Sequence, residues 1–320
     1  MATPASLIAL EEHFAAPGLL PEATEVSFFD PDQLVAIERL LPELAEERLR
    51  AMDEAGIQIA VLSQTAPGVQ GIHNTSEAVT CAHHANNHLQ RSLELHPKRF
   101  RGFAALALQD VDAACAELSR CVEELGFVGA LVNGCSQQRF LDDSGFAPFW
   151  RTLERLKVPL YLHPGIPAES PRSRLPQLEG ATWAWTADTA EHALRLVVSG
   201  VFERHPDAQV ILGHMGEALP FLLWRLDSRF AVTRYASQLQ GRPSEVIRRH
   251  IHITTSGVCD PAPLRCAIET MGIDRVLFAT DYPYEDIALA GRWIQNTPLS
   301  ASEREAIGYQ NARQLLQLNT

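Results

Sequence analysis

Positive charge, cysteine pairs and long apolar runs are all scarce in this 320-residue chain. Lys and Arg number 27 against 39 Asp and Glu, a net charge of -12. Nucleic acid is therefore not an expected partner, because phosphate binding requires clustered cations. The acidic balance favours solubility and still leaves room for a small anionic substrate met by one or two local cations. No apolar run approaches the roughly 20 residues of a membrane-spanning helix, so no membrane partner is expected. No charged start leads into an apolar core and a small-residue cleavage site, so the expected location is cytoplasmic. The six cysteines (Cys81, Cys115, Cys121, Cys135, Cys259 and Cys266) form no CxxC pair and read as reduced thiols. A Gly-rich phosphate fingerprint is missing after the first apolar run, which removes the usual support for a dinucleotide fold. There is no clear linker and no repeat at solenoid period.

What is present is a series of eight apolar runs of strand length, at 7–10, 59–63, 103–108, 128–132, 159–162, 209–212, 251–255 and 276–278. Their nearly continuous hydrophobicity is that of parallel strands buried on both faces. Helix-like segments lie between them. Asp110 can cap a helix over 111–125, with Gly126 just beyond it. Asn74 with Glu77, and Ser300 with Glu303, resemble capping boxes. Thr186 can cap a segment running to Ser199. Alternating strand and helix, eight times over, predicts a single α/β domain over 1–320, a (β/α)8 barrel. The extra length fits insertions between Phe14 and Ile37, at 136–145 and at 168–179. A doubly wound open sheet is the alternative.

Catalysis on such a barrel belongs at the C-terminal ends of the strands. The first run ends in Glu11-Glu12-His13, the fifth in His163-Pro164, the sixth in His214-Met215-Gly216-Glu217 and the eighth in Asp281. On a strand, Glu11 and His13 share one face and Glu12 takes the other, so Glu12 reads as structural. Each histidine alone is weak evidence, but ligand chemistry recurs where the fold predicts it. Glu11, His13, His163 and Asp281 form the expected ligand set. Two imidazoles and two carboxylates suit Zn²⁺ or Mn²⁺, and the oxygen share allows Mg²⁺. Two carboxylates also neutralise a divalent ion, which favours polarising an anionic substrate over activating water. His83, His84 and His88 share a helix expected outside the barrel and take solvated or packing roles. His192 and His205 look helical or loop-exposed, and His252 has a position from which it can face the interior.

The ordered pieces ALEEHF, VGALVNG, YLHP, HALRL, ILGHMGE, ITTSG and FATDYPYED span nearly the whole chain. In them the chain resembles the amidohydrolase superfamily, in its branch of γ-resorcylate and related hydroxybenzoate decarboxylases. The resemblance implies a metal-dependent barrel that releases CO₂ from an ortho-hydroxybenzoate after protonating the ring carbon. It implies that Glu11, His13, His163 and Asp281 bind the metal, and that Asp281 or a relay including it is the acid. His214 and Glu217 become a catalytic pair, and Arg225 meets the substrate carboxylate. It implies no organic cofactor, and a homodimer or homotetramer.

Two stretches depart from the family pattern. Gly165-Ile166 stands where relatives carry an Arg and a polar residue, and 137–145 is shortened. Both are expected to border the pocket and to admit a bulkier or less polar ring. The runner-up is a metal-dependent hydrolase of a lactone, amide or ester on the same barrel. A third class is a non-catalytic metal-binding or sensing barrel, which has no need of Asp281, His214 and Glu217 together.

Overall fold

The computed structural model describes residues 6–21, 29–165 and 175–318. Eight parallel strands follow one another in chain order: β1 (Leu7–Phe14), β2 (Ile57–Gln64), β3 (Phe100–Ala105), β4 (Gly129–Asn133), β5 (Leu160–His163), β6 (Val210–Leu212), β7 (Ile251–Thr254) and β8 (Val276–Leu277). Backbone hydrogen bonds from Leu10 N to Phe278 O (3.2 Å), Asp281 N to Glu11 O (2.9 Å) and His13 N to Tyr282 O (2.8 Å) join the last strand to the first. The architecture is the expected (β/α)8 barrel.

Each strand has two buried faces, and that is why the runs are almost wholly apolar. Ile8, Leu10, Ile59, Val61, Phe103, Leu131, Tyr161, Ile211 and Leu277 fill the inside. The alternate residues, such as Leu7, Leu62, Val132, Leu162 and Phe278, pack outward against helix residues including Leu89, Leu118, Leu153 and Leu196. Side-chain alternation makes this division automatic along a regular strand.

β1 breaks the rule at the point that matters. Strict alternation from Ile8 and Leu10 would aim Glu12 inward and turn Glu11 and His13 out. The pairing instead slips: Ala9 faces Ala60, while Glu12 faces Leu62. Three residues on β1 advance against two on β2, and this one-residue bulge reverses the faces above it. Glu11 and His13 enter the barrel. Glu12 points out, where its two oxygens accept the Thr280 N–H (2.9 Å) and hydroxyl (2.7 Å).

Local signals mostly perform as read. Asp110 accepts from Ala113 N at 3.0 Å, and Ser300 and Glu303 form a reciprocal box. Asn74 accepts from Glu77 N without a return bond from Glu77. Thr186 is a correction: the helix Ala184–Val198 starts before it, out of a tight turn over Gly180–Thr182, and has no side-chain cap. β3 begins three residues ahead of its expected start. Between Phe14 and Ile37 lies the start of the helix Pro31–Leu40. Segment 136–145 is a tight loop closed by Ser136 and Arg139. Of the expected excursion at 168–179, residues 168–174 lie outside the described residues.

Candidate active site

The ligand set read from the sequence converges. One ligand atom from each of Glu11, His13, His163 and Asp281 lies within 4.8 Å of the others. Glu11 and His13 are fully buried, His163 nearly so, and the Asp281 side chain is 14% exposed. His13 Nε2 is 3.2 Å from Asp281 Oδ1, and His163 Nε2 is 3.3 Å from Glu11 Oε1.

The bonds around these groups show which atoms are left to bind an ion. His163 Nδ1 has two acceptors beside it, Asn133 Oδ1 at 2.9 Å and the Pro164 carbonyl at 2.8 Å. Its proton therefore sits on Nδ1, and the Nε2 lone pair faces the cluster. Among the described residues, Glu11 Oε1 and both ring nitrogens of His13 are buried with no hydrogen-bond partner. Such orphans are costly unless another partner satisfies them. A divalent cation is that partner, and two carboxylates with two imidazoles suit it. The donor set therefore fits the metal.

His214 and Glu217 are adjacent as expected. His214 Nδ1 is 2.7 Å from Glu217 Oε1, while its Nε2 lies 3.6 Å from Asp281 Oδ2 and 3.7 Å from Glu11 Oε1. Glu217 is buried and His214 is partly exposed. The backbone here turns left-handed through five residues, with φ of 48°, 56°, 78°, 52° and 62° from His214 to Ala218. Only Gly216 takes that conformation freely; the others cost about 1–2 kcal/mol each. The His214–Glu217 bond and a bond from His214 N to Ser256 Oγ (2.9 Å) hold the turn.

Burial opposes charge at every one of these sites, but the neighbours outweigh it for three. The imidazoles of His214, His163 and His13 hold the Glu11 carboxyl well below the usual range. His13 and His214 also lower Asp281. Glu217 and Glu11 raise His214 well above an ordinary histidine. Burial prevails at His13, which is lowered, and at Glu12, which is pushed up to about 8. A bound dication would shift these balances, disfavouring the imidazolium forms.

Asp281 and His214 open on a cavity of about 710 Å³. Its walls are mainly apolar, from Trp185, Met215, Phe221, Val258, Ala262 and Pro263, with Glu285 the other carboxylate at the edge. Among the described residues, the lining holds no Lys or Arg. Arg225 is exposed on the helix Leu219–Phe230 and is absent from the lining. Gly165 also needs correction. A Cβ there would sit 2.4 Å from the Asn133 carbonyl oxygen, so close backbone contact, not rim polarity, requires glycine. Its neighbour Ile166 lies outside the described residues.

Several outlying histidines make packing or polar contacts away from the site. His88 stacks on Phe14, His83 pairs with Glu117 at 2.8 Å, and His205 meets Glu154 at 2.8 Å. His192 and His205 are buried, where loop exposure had been an alternative. His192 Nε2 accepts from Leu141 N at 2.9 Å. His252 pairs in register with inward-facing Ile211.

Several site residues escaped the sequence reading. Asn133 orients His163. Gly213 makes room for Glu11: a Cβ would lie 2.7 Å from Oε2 and 2.9 Å from Oε1. Tyr161, Thr254 and Ser256 bond to one another, to Glu11 and to the His214 backbone. The signal was available in alternation, since Tyr161 shares a strand face with His163, and Thr254 shares one with His252.

The amidohydrolase family model matches residues 13–318. The γ-resorcylate decarboxylase of a Rhizobium species is 43% identical, covering 98% of each chain. A dihydroxybenzoic acid decarboxylase of a Polaromonas species, solved with manganese and the inhibitor 2-nitroresorcinol, superposes with a TM-score of 0.90 at 40% identity, over 99% of this chain and 98% of that one. The 5-carboxyvanillate decarboxylase of Novosphingobium aromaticivorans, solved with manganese and a nitrobenzoic acid ligand, gives 0.90 at 33%, over 98% and 96%. With the barrel, the converging ligands and these matches along its length, the chain belongs to the amidohydrolase family, in its group of hydroxybenzoate decarboxylases.

Proposed function

We propose that the chain, as one catalytic barrel domain over 1–320, is a metal-dependent, non-oxidative decarboxylase of ortho-hydroxybenzoic acids of the γ-resorcylate type. The observation that carries this reading is the placement of Asp281. One of its oxygens faces His13 in the ligand cluster, and the other lies 3.6 Å from His214 Nε2 beside the apolar cavity. The manganese in the related decarboxylases supports Mn²⁺, and the donors also suit Zn²⁺. Glu11, His13, His163 and Asp281 would hold the ion. When bound, it supplies Lewis-acid charge to fix and polarise the carboxylate and phenolic oxygens of the substrate.

The chain's own groups account for the proton. A carboxyl proton on Asp281 passes to the ring carbon that bears the carboxylate. The phenolic oxygen passes its proton to His214 Nε2 and donates electron density into the ring. The carbon–carbon bond then breaks, its electron pair restores aromaticity, CO₂ leaves and His214 returns its proton to the phenolate oxygen. Asp281 is left as a carboxylate, the state its imidazole neighbours favour, and takes a new proton from solvent once the product has left. Glu217 keeps the other His214 nitrogen protonated and fixes the ring. The apolar walls exclude water and accommodate an aromatic ring, so alkyl-substituted hydroxybenzoates fit this reading as well as dihydroxybenzoates.

The six free thiols support a cytoplasmic location, and no helix among the described residues is long and apolar enough to cross a membrane. Phe221, at the cavity, and Trp224, one turn further along the same helix, stand 82% and 81% exposed. Exposed aromatics of this kind are enriched where a partner covers them, which supports a homodimer or homotetramer.

The test is CO₂ release by manganese-loaded protein from 2,6-dihydroxybenzoate, 2,3-dihydroxybenzoate, salicylate and 5-carboxyvanillate. Stoichiometric release from any of them, abolished by Asp281→Asn, is the expected result. No release from the panel with manganese bound would overturn the reading.

A further inference from the structure

Below the ligand cluster, the barrel interior contains a column of hydroxyls that the decarboxylation scheme does not use. Tyr161 is fully buried and stands one inward position beneath His163 on β5. Its hydroxyl donates a short hydrogen bond to Glu11 Oε2. Thr254 Oγ1 lies 3.3 Å from the same oxygen and 2.9 Å from the Tyr161 hydroxyl. Ser256 Oγ is 2.9 Å from Thr254 Oγ1 and accepts the His214 N–H at 2.9 Å. Tyr161, Thr254 and Ser256 are buried in a region otherwise filled by Phe103, Leu131 and Ile211. Hydroxyls in such a place are retained at a desolvation cost and need a compensating role.

The two carboxylate oxygens of Glu11 are treated differently. Oε2 is held by Tyr161 and Thr254, with the Gly213 backbone close against it. Oε1 has no hydrogen bond among the described residues and faces His163 and His214. The column therefore leaves Oε1 as the oxygen free for an ion and sets its direction. Through Ser256 it also ties Glu11 on β1 to the left-handed turn that carries His214.

We propose that Tyr161, with Thr254 and Ser256 behind it, is a positioning residue that holds Glu11 ready for the metal and locks the ligand cluster to the His214 turn. The inference rests on the metal-dependent reading above and specifies what keeps the metal in place. Groups that orient a ligand in this way typically change metal affinity 10- to 100-fold when removed.

The experiment compares Mn²⁺ binding by the full-length parent and by Tyr161→Phe, read by the electron paramagnetic resonance of free Mn²⁺ and independently of turnover. The expected result is a 10- to 100-fold weaker affinity, with most of kcat recovered at saturating Mn²⁺. Affinity within twofold of the parent, in a variant of parental circular dichroism, would overturn the proposal. If Tyr161→Phe does not fold, Thr254→Ser and Thr254→Val decide. Retention in the serine variant and loss in the valine variant support the column; equal behaviour of the two overturns it. A parent that binds no Mn²⁺ would refute the metal reading itself and this inference with it. A parent that binds it normally, beside an unchanged Tyr161→Phe, would refute this inference alone.

Discussion

Gly213→Ala is the substitution for which the structure predicts the largest effect from the smallest change. Gly213 has φ -71° and ψ -172°, an extended conformation that alanine also adopts, so the variant tests space and not backbone freedom. The added methyl would meet Glu11 Oε2 at 2.7 Å and Oε1 at 2.9 Å. To reach ordinary contact the carboxylate must retreat by about 0.5 Å or more, which is the tolerance within which a working site must be held. Retreat is opposed from the other side by Tyr161 and Thr254, which grip Oε2. Losing one hydrogen bond to a charged group costs about 1.5–3 kcal/mol, equivalent to roughly 10- to 100-fold in metal affinity. The assay is Mn²⁺ titration of the apoprotein, followed by CO₂ release at limiting and at saturating metal. Weaker Mn²⁺ binding with partial recovery at high metal is expected. Parental affinity together with a parental melting temperature would show that Gly213 does not define the space for Glu11.

Three further outcomes follow from the same geometry. Glu217→Gln keeps the metal ligands but weakens the orientation and charge support of His214, so kcat should fall on the order of 10²-fold with Mn²⁺ affinity unchanged; an unchanged kcat would remove Glu217 from the proton path. Ala262→Trp narrows the apolar cavity, so kcat/KM should fall for an alkyl-substituted 2-hydroxybenzoate and hold for salicylate; equal loss on both would show that this wall does not read substituents. Burial lowers His192 from 6.5 to about 3. Above pH 6.5 neither state binds the proton, and that stability is fully present; as the pH falls towards 3 the unfolded chain takes the proton and the stability is lost. At pH 5 the loss is about 2 kcal/mol. Urea unfolding of the parent should therefore weaken more between pH 7 and pH 5 than that of His192→Gln, and parallel curves would exclude this linkage.

The barrel and the cluster of Glu11, His13, His163 and Asp281 were legible because both depend on short-range pattern. Strands buried on both faces read as apolar runs, and a ligand at a strand end interrupts the run where the fold places its chemistry. What stayed hidden depends on register or on close approach between distant segments. The pairing of Glu11 with His13 on one face could be read from alternation, but their inward direction could not. Counting from Leu10 turns both outward, and only the bulge between Ala9 and Glu12 turns them in. A bulge is set by how β1 aligns with β2, and nothing in the letters LEEH marks it.

Gly165 and Gly213 make the same point from opposite directions. Against the family pattern, Gly165 looked like a lost cationic rim, yet a Cβ there would strike the Asn133 carbonyl; Gly213 attracted no notice, yet a Cβ there would strike Glu11. Both are glycines because another segment passes too close for a side chain, a property of packing that local sequence does not carry. Arg225 shows how much packing decides. Its guanidinium suits a carboxylate, but its position on an exposed helix face is set by how that helix packs. Residue chemistry thus identified what can bind the ion, whereas strand register and backbone approach decide which oxygen of Glu11 is offered to it. For that reason the decisive variants are the silent neighbours Gly213 and Tyr161. Replacing a ligand shows only that the ligand is needed; replacing these leaves every ligand in the chain and tests whether their placement is what holds the metal.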